Sequence, residues 1–252
     1  MQKEPVVAII VAAGLGTRYG GPTPKTMLKL TNRAVIYMSV EAMAAGGCTH
    51  AVVVVKPDLE GQVRAHLAGS PIPITITTGG ANRQQSVHNG LKAVQADPVL
   101  GRAGVVLIHD AVRPMVPAYV VEDVINHVRG GAAAVLPAVP VRDTIRMISE
   151  DEQSSTVVDR ERLRAVQTPQ GFALDIVAKA HNHAAGSGEP FTDDASIVEA
   201  LGHTVVIVPG SHMGMKITEP ADFTVAKALW KVRASFGHHS GKRIQRLWKR
   251  DR

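Results

Sequence analysis

At 252 residues, 45% of them apolar, the chain is long enough for one large α/β domain, and an aromatic content of 4% makes its core one of Val, Ile, Leu and Ala. The single cysteine, Cys48, excludes an internal disulfide framework and fits a reducing compartment, and no apolar run approaches the roughly 20 residues that span a bilayer. The formal charge of +6 is unevenly spread: residues 231–252 carry +7 and residues 1–230 carry −1, so the basicity belongs to a C-terminal tail and not to the fold.

The first predicted element is Val6–Val11, a continuous β-branched run of the kind that forms a strand buried on both faces. It is too short for a signal peptide and leads directly into Ala12, Ala13, Gly14, Leu15 and Gly16. This turn carries little side-chain bulk, so its N–H groups can approach a polyphosphate closely. Arg18 and the Pro24-Lys25 pair place two permanent cations beside it. A dinucleotide loop is excluded because Tyr19 stands where the third glycine belongs, and a Walker A loop because Lys25 follows Pro24.

Strand and helix signals then alternate. Strands are predicted at Ala51–Val55, Ile72–Thr77, Val105–His109 and Ala132–Val139, with helices at Val35–Ala45, Asp58–Leu67, Arg83–Ala96 and Ala118–Val128. The alternation implies a parallel or mostly parallel sheet with helices on both faces, in which ligands sit beyond the carboxyl ends of the strands. The glycine turn, Gly79-Gly80 and His109-Asp110 fall at such ends and are expected to converge.

After Pro140 the pattern changes. Residues 141–163 are polar and read as a β-hairpin arm, Thr144–Ile148 against Thr156–Val158 across a turn at Glu150–Glu152. Helices at Leu174–Ala184 and Asp193–Ala200, a strand at Thr204–Val208 and a helix at Ala221–Val232 complete a domain over 1–232. Residues 233–252 read as a solvated extension, in which Ile244, Leu247 and Trp248 have the spacing of a short amphipathic helix. The protein is expected to be cytoplasmic, with no membrane contact and no nucleic-acid partner.

Five segments carry unusual polar residues. They are the Arg18–Lys25 loop; Gly79–Ser86, a strand end opening a helix; His109–Pro114, where Asp110 ends a buried strand; Val141–Thr144 with Arg160 and Thr168–Gln170; and Met215–Thr218, a strand-like run containing Lys216. Asp110 needs compensation, from a Mg²⁺ ion, from ligand hydroxyls or from Arg113 as a structural partner. No Gly-x-Ser-x-Gly elbow is present, and His181 and His183, two apart on a helix, make a poor metal pair. Cations without a nucleophile–base pair suit nucleotidyl transfer to a phosphate. Such an acceptor is largely dianionic at pH 7, with a second pKa of about 6, and needs no proton removed.

The ordered set AAGLGTR with PK, GGANRQQSV, HDAVRP, PVRDT, VDR, AVQTPQGF, TDDAS and MKIT resembles the 2-C-methyl-D-erythritol 4-phosphate cytidylyltransferases from about residue 5 to residue 232. The resemblance implies a Rossmann-like nucleotidyltransferase domain, a homodimer through the 141–163 arm, and a site built by both subunits. It implies transfer of a cytidylyl group from CTP to 2-C-methyl-D-erythritol 4-phosphate, with release of pyrophosphate, in the presence of Mg²⁺ or another divalent cation. Arg18 and Lys25 would stabilise charge on the α-phosphorus; Arg160 and Lys216 would position the sugar phosphate. Asp110, Arg113, Thr144, Thr168 and Thr192 would line its pocket, Asp110 being also the candidate metal ligand. Ala12, Ala13, Gly14, Gly80 and Ser86 would hold the nucleotide. Many relatives carry an acidic or polar residue where this chain has Ala81, so cytosine selectivity would lean on backbone groups and Ser86. The competing readings are a ribitol 5-phosphate cytidylyltransferase, a sugar-1-phosphate nucleotidyltransferase and, from another class, a nucleic-acid-binding protein using the basic tail.

Overall fold

The computed structural model describes residues 4–14, 23–187 and 191–235; Arg18 and the tail beyond Ser235 lie outside the described residues. In chain order the elements are β1 (Val6–Val11), α1 (Val35–Ala45), β2 (His50–Val55), α2 (Glu60–His66), β3 (Ile74–Thr78), α3 (Arg83–Ala96), β4 (Val105–Asp110), α4 (Ala118–Arg129) and β5 (Ala134–Pro140). There follow β6 (Ile145–Ile148), β7 (Ser155–Val158), β8 (Arg164–Val166), β9 (Gln170–Ala173), α5 (Leu174–Ser187), α6 (Asp194–Ala200), β10 (Val205–Pro209) and α7 (Pro220–Ser235).

The main sheet has the order β10-β5-β9-β4-β1-β2-β3, with β8 paired to β5. The apolar runs are buried on both faces because alternate side chains enter two different cores. Val6, Ala8 and Ile10 of β1 pack with Ile36, Val40 and Met43 of α1 and with Val121 and Ile125 of α4. Val7 and Ile9 pack on the opposite face with Val87, Leu91 and Val94 of α3, Val177 of α5 and Val198 of α6. A third, smaller core lies outside the sheet, where Ala226 of α7 meets Val35, Met38, Val112, Met115 and Ile217.

β1 pairs in parallel with β2 on one side and β4 on the other. The chain leaves β1 for β2 and β3, then crosses back to β4, so the β1/β4 boundary is the switch point at which an open α/β sheet forms its ligand crevice. Both strands end there, at Val11 and Asp110, which lie opposite each other in register.

Two elements went unforeseen. β9 runs antiparallel between β4 and β5, and β8 runs antiparallel on β5. Their sequences, Gln-Gly-Phe-Ala and Arg-Ala-Val, are too short for a period to be read. Gly171 is required in β9, since a Cβ there would stand 2.3 Å from Val124 Cγ1. The strand-like run Met215–Thr218 does not form a strand. That segment is a loop, tied to the fold by the hydrogen bond from Ile217 N–H to the Val112 carbonyl and by the burial of Ile217. The predicted helix at Asp58 begins as a 3₁₀ turn over Pro57–Leu59, with α2 starting at Glu60. β6 and β7 pair as a two-stranded sheet of their own, with Met147, Ile148 and Val157 exposed.

Candidate active site

The carboxyl ends of β1 to β4 form one floor. Ala12 N–H donates to the Val54 carbonyl, Gly79 N–H to Val55, and Ala111 N–H to Val11, so the three expected segments do meet. Ala12 and Ala13 are buried and Gly14 is exposed. A Cβ on Gly79 would stand 2.4 Å from the Ala13 Cβ, so these segments pack at a distance only glycine permits. At Gly14 an added Cβ would meet nothing within 4 Å; no described protein atom demands glycine there.

The Gly79–Ser86 segment uses much of its own hydrogen-bonding capacity. Ser86 Oγ accepts from Gly80 N–H (3.0 Å) and donates to the Asn82 carbonyl (2.8 Å). Asn82 caps α3 by accepting from Gln85 N–H, and Gln85 Oε1 accepts from Ala81 N–H (2.8 Å). Ser86 is thus first an organiser of the turn.

Asp110 ends β4 buried, with 7% of its surface exposed. Its Oδ2 lies 3.0 Å from Lys216 Nζ and 3.5 Å from Arg113 Nε, and its Oδ1 lies 3.6 Å from Arg83 Nε. Burial opposes ionisation, but Lys216, Arg83 and Arg113 outweigh it and hold the Asp110 carboxyl well below the usual carboxylate range. Of the compensations expected from sequence, Arg113 is present; Lys216 and Arg83 were not foreseen as partners of Asp110.

Asp110 does not fit the role of metal ligand. Both of its oxygens already face cations, and a divalent ion placed on it would sit among three positive groups. Among the described residues no cluster of three His, Cys, Asp or Glu side chains is disposed to hold a metal.

Thr168 is hydrogen-bonded to the Asp110 backbone. Its Oγ1 accepts from Asp110 N–H (3.1 Å) and lies 3.0 Å from His109 Nδ1, while His109 Nε2 lies 3.1 Å from the Arg113 carbonyl. A carbonyl only accepts, so Nε2 carries the proton and the Thr168 hydroxyl donates to Nδ1. Burial pushes the fully enclosed His109 down to about 4, against the pull of Asp110, so the ring is neutral at pH 7.

The loop carrying Lys216 is held from several sides. Arg113 Nη1 donates to the Gly214 carbonyl (2.7 Å), and the Gln167 carboxamide brackets Ser211 through both its N–H and its carbonyl. Asp222 at the start of α7 accepts from Thr218 N–H, Thr218 Oγ1 and Glu219 N–H. These bonds, led by the Thr218 hydroxyl, lower the Asp222 carboxyl, and the charge of Lys25 adds to them. Lys25 itself is half-buried in a 3₁₀ turn anchored by Thr26 and Met27.

The remaining expected residues are not gathered here. Arg160 is exposed and donates to the Arg142 carbonyl (2.6 Å), and Thr144 and Thr192 are exposed. Among the described residues no ion pair joins Arg160 to Asp110. Lys231, at the start of the basic stretch, lies on α7 and is exposed.

A sheet with this switch point, a small-residue turn after β1 and a cation cluster at the adjoining strand end define a nucleotidyltransferase of the α/β class. The comparisons agree. The chain belongs to the IspD family, the 2-C-methyl-D-erythritol 4-phosphate cytidylyltransferases, whose family model matches residues 6–231. It is 41% identical over 225 residues to the 2-C-methyl-D-erythritol 4-phosphate cytidylyltransferase of Saccharopolyspora erythraea, covering 89% of this chain and 98% of that one. Among solved structures, the enzyme of that name from Thermus thermophilus superposes with a TM-score of 0.71 at 31% identity, covering 88% of this chain and 98% of the other. The 4-diphosphocytidyl-2C-methyl-D-erythritol synthase from Anaerococcus prevotii gives a TM-score of 0.78 at 26% identity, covering 90% and 96%. The chain is therefore an enzyme that transfers a cytidylyl group from CTP to 2-C-methyl-D-erythritol 4-phosphate, and the ribitol phosphate reading is not favoured. Among the described residues no helix is long and apolar enough to cross a membrane.

The neutral state of His109 has a measurable consequence. Its folded pKa lies below its ordinary 6.5, so the unfolded chain binds the proton first and stability falls as pH drops from 6.5 toward 4. The urea midpoint should decline between pH 6.5 and 5, above the range in which carboxylates titrate. His109→Gln, which does not titrate, should flatten that slope; a wild-type midpoint constant across the window would show that His109 is not held neutral.

Proposed function

We propose that Arg113 and Lys216, gathered at Asp110, form with Lys25 and Arg18 the surface on which two polyanions meet. The observation that carries this reading is the ion cluster itself: three cations, Arg83, Arg113 and Lys216, held by one buried carboxylate at the switch point. An oxygen of the sugar phosphate attacks the α-phosphorus of CTP. The new P–O bond forms as the bond to the β-phosphate oxygen breaks, and pyrophosphate leaves with that electron pair. The attacking group is a dianion at neutral pH, so no general base is required. The barrier is repulsion, and fixed positive charge lowers it.

In this reading Lys25 and Arg18 meet the charge that develops at the α-phosphorus. Lys216 and Arg113 receive the sugar phosphate, with Asp110 beside its hydroxyls. Ala12, Ala13, Gly14 and Gly80 let the nucleotide approach the backbone, and Ser86 fixes the turn beneath it. Any divalent cation stays with the triphosphate and not with Asp110.

Arg160 and Thr144 reach a site in a homodimer. A two-stranded sheet is not stable alone, and β6 and β7 expose Met147, Ile148 and Val157, a surface suited to a second copy of the chain. The hairpin of one subunit then supplies Arg160 to its partner. The buried, lone Cys48 suits a cytoplasmic enzyme.

Purified protein with Mg²⁺ and CTP should release pyrophosphate with 2-C-methyl-D-erythritol 4-phosphate and not with ribitol 5-phosphate; the reverse would contradict the acceptor assignment. Lys25→Ala should lower kcat by about 10²–10³-fold with little change in the KM for CTP, because its charge counts most in the transition state. Arg160→Ala should chiefly raise the KM for the sugar phosphate. Heterodimers of the two variants should recover part of the lost activity, and verified heterodimers with no recovery would exclude a shared site.

A further inference from the structure

The TDDAS segment contributes more than Thr192. Asp194, at the start of α6, is fully buried, and so is His181 of α5, whose Nε2 lies 3.3 Å from Asp194 Oδ1. A carboxylate at that depth needs a compensating charge. Arg83 provides it, with Nη2 2.8 Å from Asp194 Oδ2. At that distance Arg83 and Asp194 form an ion pair, the guanidinium partly exposed and the carboxylate fully enclosed. Burial disfavours the charged form of Asp194, yet Arg83 and His181 overcome it and hold the carboxyl below its ordinary value. Gln170 of β9 fixes this end of α6, its Oε1 accepting from Asp194 N–H and Ala195 N–H and its Nε2 donating to Asp193 Oδ2.

The same guanidinium touches the active site. While Nη2 faces Asp194, Nε faces Asp110 Oδ1, opposite the Oδ2 that Lys216 and Arg113 share. Only a planar fork spans two carboxylates in this way; an ammonium is a single point. The five groups Arg83, Arg113, Lys216, Asp110 and Asp194 sum to +1. Without Asp194, Arg83 loses its anchor, and the Asp110 carboxylate is free to turn about the side held by Lys216.

We propose that Asp194 and Arg83 are a positioning pair for the sugar-phosphate half of the site, with Asp194 fixing Arg83 and Arg83 fixing Asp110. This rests on the functional reading above, in which Asp110, Arg113 and Lys216 receive the sugar phosphate. It extends that site to two residues that do not themselves touch the reacting atoms.

The test is a double-mutant cycle in the full-length enzyme with Asp194→Asn, Arg83→Gln and the pair, with Arg83→Lys as the conservative variant. KM for each substrate, kcat and melting temperature are measured together. Each single change should raise the KM for 2-C-methyl-D-erythritol 4-phosphate at least fivefold and leave the KM for CTP within twofold. The double variant should lose no more than the worse single one. Arg83→Lys keeps the charge beside Asp194 and should fold, yet should still show the raised KM for the sugar phosphate; it carries the test if Asp194→Asn does not fold. Additive losses, an equal rise in both KM values, or a wild-type KM in Arg83→Lys would each overturn the pair. A wild-type enzyme inactive with this acceptor would instead refute the functional reading, before any variant is compared.

Discussion

Asp110 carries a negative charge at a depth where charge is unstable, and the site is arranged around its compensation. Three cations from three separate parts of the chain converge on it: Arg83 from α3, Arg113 from the turn after β4, and Lys216 from the loop before α7. Each would repel the others without the carboxylate at their centre. Asp110 therefore does for this site what a metal does elsewhere, with the sign reversed: a fixed charge that gathers opposite ones into a small volume. Asp110 with its three cations carries net positive charge, which suits the proposed meeting of two phosphates.

The fold makes that convergence possible. β1 and β4 are adjacent and parallel with Val11 opposite Asp110, so the turn after β1 and the ion cluster share one edge. The antiparallel strand β9 then brings Thr168 and Gln170 to the same region from the other direction. Thr168 braces the Asp110 backbone and the neutral His109 ring; Gln170 braces the end of α6 behind Arg83. A mostly parallel sheet alone would leave this side of Asp110 unsupported.

Long apolar runs made the parallel core legible from sequence. Val6–Val11, α1 and α3 were read with the bounds the structure has: β1 as a short continuous run of β-branched apolar residues, α1 and α3 as longer segments of helical length. β8 and β9 were missed for the converse reason: three and four residues long, they are strands by virtue of their neighbours. Lys216 was read in a strand-like run but lies in a loop: Met-Lys-Ile-Thr alternates like a strand, yet among the described residues no strand pairs with it, and Ile217 N–H donates to the Val112 carbonyl. In the site, Asp110, Arg113 and Lys216 were legible as unusual charges at strand ends and in apolar surroundings. Arg83 and Asp194 lay inside recognised segments, GGANRQQSV and TDDAS. Their partnership spans more than a hundred positions of chain, and no local pattern announces it. Asp222 was hidden similarly, as an ordinary acidic residue in the first turn of a helix.

In the proposed reaction the enzyme joins two phosphates directly, by charge and position, with no covalent intermediate on a protein side chain. The decisive measurement is the stereochemical course at the α-phosphorus, followed with CTP made chiral there by isotopic or sulfur substitution. A single in-line displacement predicts inversion in the 4-diphosphocytidyl-2-C-methyl-D-erythritol formed. Retention would require two displacements through a nucleotidylated side chain, and would contradict direct transfer.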